Sequence, residues 1–212
     1  MSRVPSWCGV ILAAGESSRM GTDKALLPWP PAAAGRSSQG QTFLSAAIRL
    51  LIVPTDLVIV VAGKNEPSLA PIAYAEGAFL VQNPAPELGQ FSSLRVGLHE
   101  VLNRGRDGAI VTLVDRPPVS PATLEKLMAA FAVAPASKWA VVPEHGGKHG
   151  HPILLGREMI EAFLRAPASA TAREIEHQSQ PHIDYVSVDD PLVAVNVNTP
   201  EDYARLAQGL VR

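Results

Sequence analysis

The chain has 212 residues, enough for one substantial core. Hydrophobic residues make up 47% and charged residues 18%, which excludes wholesale disorder. A net charge of −2 offers no global attraction for nucleic acid or anionic membrane, so cationic side chains act locally.

In chain order, short apolar runs alternate with stretches of helical period. Strand-like runs fall at 9–14, 57–62, 78–81, 109–114, 139–143 and 183–188. Apolar residues three and four apart mark helices at 42–53, 67–75, 91–102, 121–132 and 157–165. Continuous apolar strands are buried on both faces. The expected fold is therefore α/β: a three-layer, mostly parallel, Rossmann-like sheet with helices on both faces. The glycine- and histidine-rich run EHGGKHGHPILLG after Pro143 reads as a small antiparallel addition over the sheet, and residues 1–212 read as one domain. Residues 28–41, rich in Pro, Ala, Gly and Ser, read as a flexible surface loop. Cys8 is the sole cysteine, which excludes an internal disulfide. No run approaches the length of a membrane span, and the first apolar run is too short for a signal segment, so the expected location is the cytoplasm.

The first strand ends in LAAGESSRMGTDKALL, residues 12–27. A glycine-rich turn there lies at the carboxyl edge of the sheet, where open α/β folds bind ligands. Gly15 and Gly21 permit close backbone approach, successive N–H groups form a hollow for phosphate oxygens, and Arg19 and Lys24 add charge. The spacing fits neither common phosphate loop: five residues separate Gly15 from Gly21 where a Walker loop has four, and Glu16-Ser17 breaks the dinucleotide fingerprint. A dinucleotide-dependent oxidoreductase is disfavoured for that reason.

Further along, an apolar strand ends in Asp115, followed by Arg116 and two prolines. Ser120 can cap the next helix, which frees Asp115 for a hard cation such as Mg²⁺. Asn196 and Asn198 alternate on an expected strand and so share a face. Thr199, Pro200, Glu201 and Asp202 read as the start of a helix. Asn83, Ser92 and Ser93 surround another helix start, either as caps or as ligand contacts. Glu144, His145, His149 and His151 suggest zinc by residue type only, since their spacing matches no helical metal motif.

The run at residues 12–27 closely resembles the L-A-A-G-x-S-x-R-M-G-x-x-K signature of the MobA-like nucleotidyltransferases, which include molybdenum cofactor cytidylyl- and guanylyltransferases. The resemblance implies that Leu12, Ala13, Ala14 and Gly15 contact the nucleotide, that Arg19 binds the triphosphate, and that Lys24 serves the reacting phosphates. It implies Mg²⁺ on Asp115 and Asn196, nucleotide contacts from Asn83, Ser92 and Ser93, and an acceptor pocket with His151 and Asn198. Arg19, Lys24 and Asp115 are the expected catalytic residues. Arg116 stands where the family more commonly has Gln or Met. Ala14 resembles the cytidylyl branch, whereas Asn-x-Asn-Thr-Pro resembles the guanylyl branch. The implied reaction transfers CMP by preference, or GMP, from CTP or GTP to a molybdopterin-type acceptor, with a molybdoenzyme as a downstream partner. The alternatives are transfer to a sugar or alcohol phosphate, and a non-catalytic cofactor chaperone.

Overall fold

A computed structural model describes residues 5–17, 19–31 and 40–209. The strands are β1 (Trp7–Ala13), β2 (Leu57–Ala62), β3 (Phe79–Gln82), β4 (Gly108–Leu113), β5 (Ala140–His145), β6 (Lys148–His149), β7 (Ile153–Gly156) and β8 (Ile183–Ser187). The helices are α1 (Phe43–Ile52), α2 (Glu66–Ala75), α3 (Gln90–Asn103), α4 (Pro121–Val133), α5 (Arg157–Arg165), α6 (Ala172–Gln178) and α7 (Pro200–Ala207).

The strands form one sheet in the order β3-β2-β1-β4-β7-β5, with β6 and β8 also paired to β5. β1 runs parallel to β2 and β4, and β2 parallel to β3. β7 is antiparallel to both β4 and β5. The antiparallel addition therefore lies inside the sheet, between β4 and β5, rather than over it. Ile153, Leu154 and Leu155 are buried, which places their strand in the core instead of on its surface.

Alternation along β1 divides the core. Val10 and Leu12 pack toward α3 and α5 with Leu94, Leu98, Met159 and Phe163. Ile11 and Ala13 pack toward α1, α2 and α4 with Leu44, Ile48, Leu69 and Leu127. Three layers result, with helices on both sheet faces. Cys8 is fully buried in β1, and desolvation pushes its thiol up to about 12, so it behaves as a small hydrophobe. Among the described residues, no helix is long and apolar enough to cross a membrane.

Local chemistry sets the helix ends. Ser120 caps α4 by accepting from the Thr123 N–H, and Thr199 and Asp202 form a reciprocal capping box at α7. The segment 195–198 is not a strand, although the Val197 N–H donates to the Asp115 carbonyl at 2.9 Å. Most of the 28–41 loop, residues 32–39, lies outside the described residues. Its ends meet where the Trp29 N–H donates to the Gln41 carbonyl.

Candidate active site

The parallel arrangement brings the tips of β1 and β4 and the start of α3 to one edge of the sheet. A crevice of about 250 Å³ opens there, lined by Leu12, Ala14, Gly15, Lys24, Ser93 and Asp115 among others. All six are residues the sequence nominates.

The first loop is held by its own side chains. Asp23 Oδ1 accepts from the Ala25 N–H, and Asp23 Oδ2 accepts from Asn65 Nδ2 at 2.6 Å. Asn65 Nδ2 also donates to the Ala13 carbonyl, tying the loop to the end of β1. Ser17 sits at a φ of 49°, and its hydroxyl accepts from the Lys24 N–H. A side chain at Gly63 would place its Cβ 2.7 Å from the Ala14 carbonyl oxygen, so glycine is required there for close approach of the two chain segments. Among the described residues, nothing accepts from the backbone N–H groups of Gly15, Glu16 and Ser17. Such an array suits anionic oxygens.

Lys24 is only 9% exposed. Its ammonium donates to Asn198 Oδ1 at 2.9 Å and to Asp115 Oδ2 at 3.3 Å. The other carboxylate oxygen, Asp115 Oδ1, is buried without a partner. Burial of an unsatisfied carboxylate oxygen is costly, which marks this atom as a binding group. It fits a hard cation, since Mg²⁺ is usually held by one or two carboxylates together with substrate phosphates. Asn198 thus joins the cluster, whereas Asn196 is exposed and makes no hydrogen bond with another described residue.

Plain capping by Ser92 or Ser93 is not what the structure has. α3 begins at Gln90 after Gly89, whose φ of 91° only glycine adopts readily, and no side chain caps it. Asn83 is buried and donates through Nδ2 to both Ser92 and Ser93, at 2.8 and 2.9 Å. Ser92 in turn donates to the Gly89 carbonyl at 2.7 Å. The trio therefore fixes the N-terminus of α3 at the crevice, where the helix dipole favours an anion. Ala13 is buried and off the crevice lining, and Arg19 is exposed in the turn beyond the loop.

A second chamber, of about 560 Å³, adjoins the first and shares Leu12, Gln90 and Leu113 with it. His151 lines it together with Arg116 and Glu176, whereas Asn198, grouped with His151 by the sequence, does not. Burial, reinforced by the nearby Arg116 charge, drives the His151 pKa down to about 3, so the ring is neutral. Burial also lowers the Arg116 pKa and raises that of Glu176.

The four residues that suggested zinc disperse. His145 Nδ1 lies 2.8 Å from the Val188 carbonyl oxygen, Glu144 meets His149 at 3.3 Å, and His151 points to the chamber. Among the described residues, no group of three His, Cys, Asp or Glu side chains gathers to hold a metal. Sequence reasoning overlooked Ser17 and Gln90. Ser17 falls within the signature, but Gln90 carries no local signal, because its place is set by how α3 meets β1 and β4.

The model of the MobA-like NTP transferase domain matches residues 9–183. A molybdenum cofactor guanylyltransferase from Xanthomonas euvesicatoria pv. vesicatoria is 33% identical over 208 residues, covering 94% of each chain. The molybdenum cofactor cytidylyltransferase of Escherichia coli K12 is 25% identical, covering 92% of each. Among solved structures, Rv0371c from Mycobacterium tuberculosis H37Rv is similar with a TM-score of 0.75 at 25% identity, over 96% of this chain and 98% of that one. A crystal structure of the same protein in complex with manganese gives a TM-score of 0.72 at 24% identity, with the same coverage.

Proposed function

The chain belongs to the MobA-like NTP transferase family, and from that premise we propose that it transfers CMP or GMP from CTP or GTP to the phosphate of a molybdopterin-type acceptor, releasing pyrophosphate. The observation that carries this reading is the Lys24–Asp115–Asn198 cluster on the crevice, with Asp115 Oδ1 buried and unpartnered.

The acceptor phosphate is ionised near neutral pH, so its oxygen can attack the α-phosphorus in line without a strong base. Catalysis then rests on alignment and charge. The loop N–H groups and the start of α3 cradle the phosphates, Lys24 faces the reacting centre, and Arg19 takes the outer phosphates. Asp115 would hold Mg²⁺ through Oδ1. Asn196 was the expected second ligand, but the amide oxygen already within reach of Lys24 belongs to Asn198, and we assign the role to it. When bound, the ion supplies charge neutralisation across the phosphates. His151 belongs to the acceptor side. Residues 1–212 act as one domain in the cytoplasm on this reading.

Ala14 favours CTP. The Asn-x-Asn-Thr-Pro run and the higher identity to a guanylyltransferase favour GTP. The test is pyrophosphate release by purified protein given Mg²⁺, molybdopterin and each nucleotide in turn. Acceptor-dependent release with CTP or GTP, lost in Lys24→Met, is the expected result. Silence with every nucleotide would overturn the proposal, and release only with a sugar phosphate would replace the acceptor.

A further inference from the structure

The second chamber has mostly apolar walls, formed by Leu94, Val111, Val142 and Ile153. Two of its polar residues carry a buried atom with no partner: Arg116 through Nε and His151 through Nδ1. Unsatisfied buried polar groups are uncommon in native proteins and mark candidate binding groups.

Arg116 is anchored at one corner. Its Nη1 donates to the Val193 carbonyl at 3.3 Å, and the same oxygen accepts from the His151 N–H at 3.0 Å. With Nη1 held, the guanidinium edge that carries the unpartnered atom is the one formed by Nε and Nη2. Arg49 displays what that edge does with an oxyanion, since its Nε and Nη2 donate to the two carboxylate oxygens of Glu76, each at 2.7 Å. Among the described residues, Arg116 makes no equivalent pair with a carboxylate. The adjacent Asp115 offers one oxygen to Lys24 and keeps the other on the crevice. A planar fork with a vacant edge, next in sequence to the crevice carboxylate and lining the adjoining chamber, suits a phosphate.

We propose that Arg116 determines acceptor specificity: its Nε/Nη2 edge takes two oxygens of the acceptor's phosphomonoester where the chamber meets the crevice. This rests on the nucleotidyl-transfer reading above. The third, free phosphate oxygen forms the new bond to the α-phosphorus. The bond from the α-phosphorus to the bridging oxygen of the β-phosphate breaks, and pyrophosphate departs with that electron pair. Arg116 keeps its protons throughout. Acceptors carrying only a hydroxyl in place of the phosphate leave the fork unpaired and are rejected.

The test compares molybdopterin with its phosphatase-treated form. Binding is measured calorimetrically with Mg²⁺ and a non-hydrolysable nucleotide present, alongside steady-state kinetics. The wild-type protein is expected to bind the phosphorylated form at least about tenfold more tightly, as suits a bidentate charge-assisted contact. Arg116→Gln abolishes that preference and raises the acceptor KM about tenfold or more, by the same contact. Its KM for nucleotide and its nucleotide-dependent rise in Tm stay as in wild type. Arg116→Lys recovers only part of the preference, because an ammonium has no fork. Equal binding of the two forms by wild type, an undiminished preference in Arg116→Gln, or a parallel loss of nucleotide stabilisation would overturn the inference. Phosphate-selective binding through Arg116 without any pyrophosphate release would remove the transfer reading and leave the inference standing. Transfer with an unaltered preference in Arg116→Gln would do the reverse.

Discussion

Gly150→Ala tests how the proposed acceptor chamber is built. A methyl group at Gly150 would run into the carbonyl carbon and oxygen of Val193 and lie 3.0 Å from its Cβ. Val193 is fully buried in the core, so it cannot simply step aside. Its carbonyl also accepts from both the His151 N–H and Arg116 Nη1. The segment Pro191–Ala194 must then retreat, and both hydrogen bonds go with it. Overpacking costs about 1–3 kcal/mol, and each lost hydrogen bond about 0.5–1.5 kcal/mol. The sum is about 2–6 kcal/mol, or a Tm lowered by roughly 4–24 °C in a chain of this size. Denaturant and thermal unfolding measure the first effect. Kinetics measure the second: the acceptor KM rises while the nucleotide KM holds, because the crevice lining includes neither Gly150 nor Val193. A variant within about 0.5 kcal/mol of wild type, the range of an inconsequential surface change, would refute the steric argument. A matched rise in both KM values would refute the separation of the two chambers.

Two further outcomes follow from the same geometry. Asn198→Asp places a second carboxylate at the cluster and should lower the Mg²⁺ concentration giving half-maximal activity, whereas Asn196→Asp, at an exposed site, should leave it nearly unchanged; a magnesium titration of each variant decides the assignment. His151 gives a pH signature. Its folded pKa of about 3 lies below the unfolded value of 6.5, so the unfolded chain takes up the proton first as pH falls. The associated stability is complete above pH 6.5 and is lost toward pH 3, at up to about 1.4 kcal/mol per pH unit. Urea midpoints across that range should fall less steeply for His151→Asn than for wild type, and parallel curves would show that the ring is not held neutral.

The proposed nucleotide half of the site is legible in the sequence because its chemistry is contiguous. Leu12, Ala14, Gly15 and Lys24 fall within one run, and the loop closes on itself through Asp23 and Ser17, with Asn65 and Gly63 as its supports from elsewhere in the chain. The strands were equally readable where burial on both faces makes them uniformly apolar, as in β2. β7 was not. It is four residues long and follows a histidine- and glycine-rich turn, and its insertion between β4 and β5 is set by pairing partners far away in sequence. The role of the serines after Gly89 was undecided for a related reason. Residue type left capping and ligand contact both open; a glycine at a φ of 91° starts the helix at Gln90 with no side-chain cap, and the serines accept from Asn83.

The proposed acceptor half resists such reading because a backbone atom joins it. Arg116 follows β4, His151 precedes β7, and Val193 lies beyond β8, so no spacing rule relates them. They meet at the Val193 carbonyl, a group every residue possesses, and Gly150 admits that carbonyl by lacking a side chain. The same consideration separates the two asparagines. Alternation places Asn196 and Asn198 on one face, but the hydrogen bond from the Val197 N–H to the Asp115 carbonyl fixes where that face lies, and only Asn198 then reaches Lys24. Side-chain pattern therefore nominated the groups proposed to handle phosphate, while backbone hydrogen bonds across the β4 tip decide which of them come together.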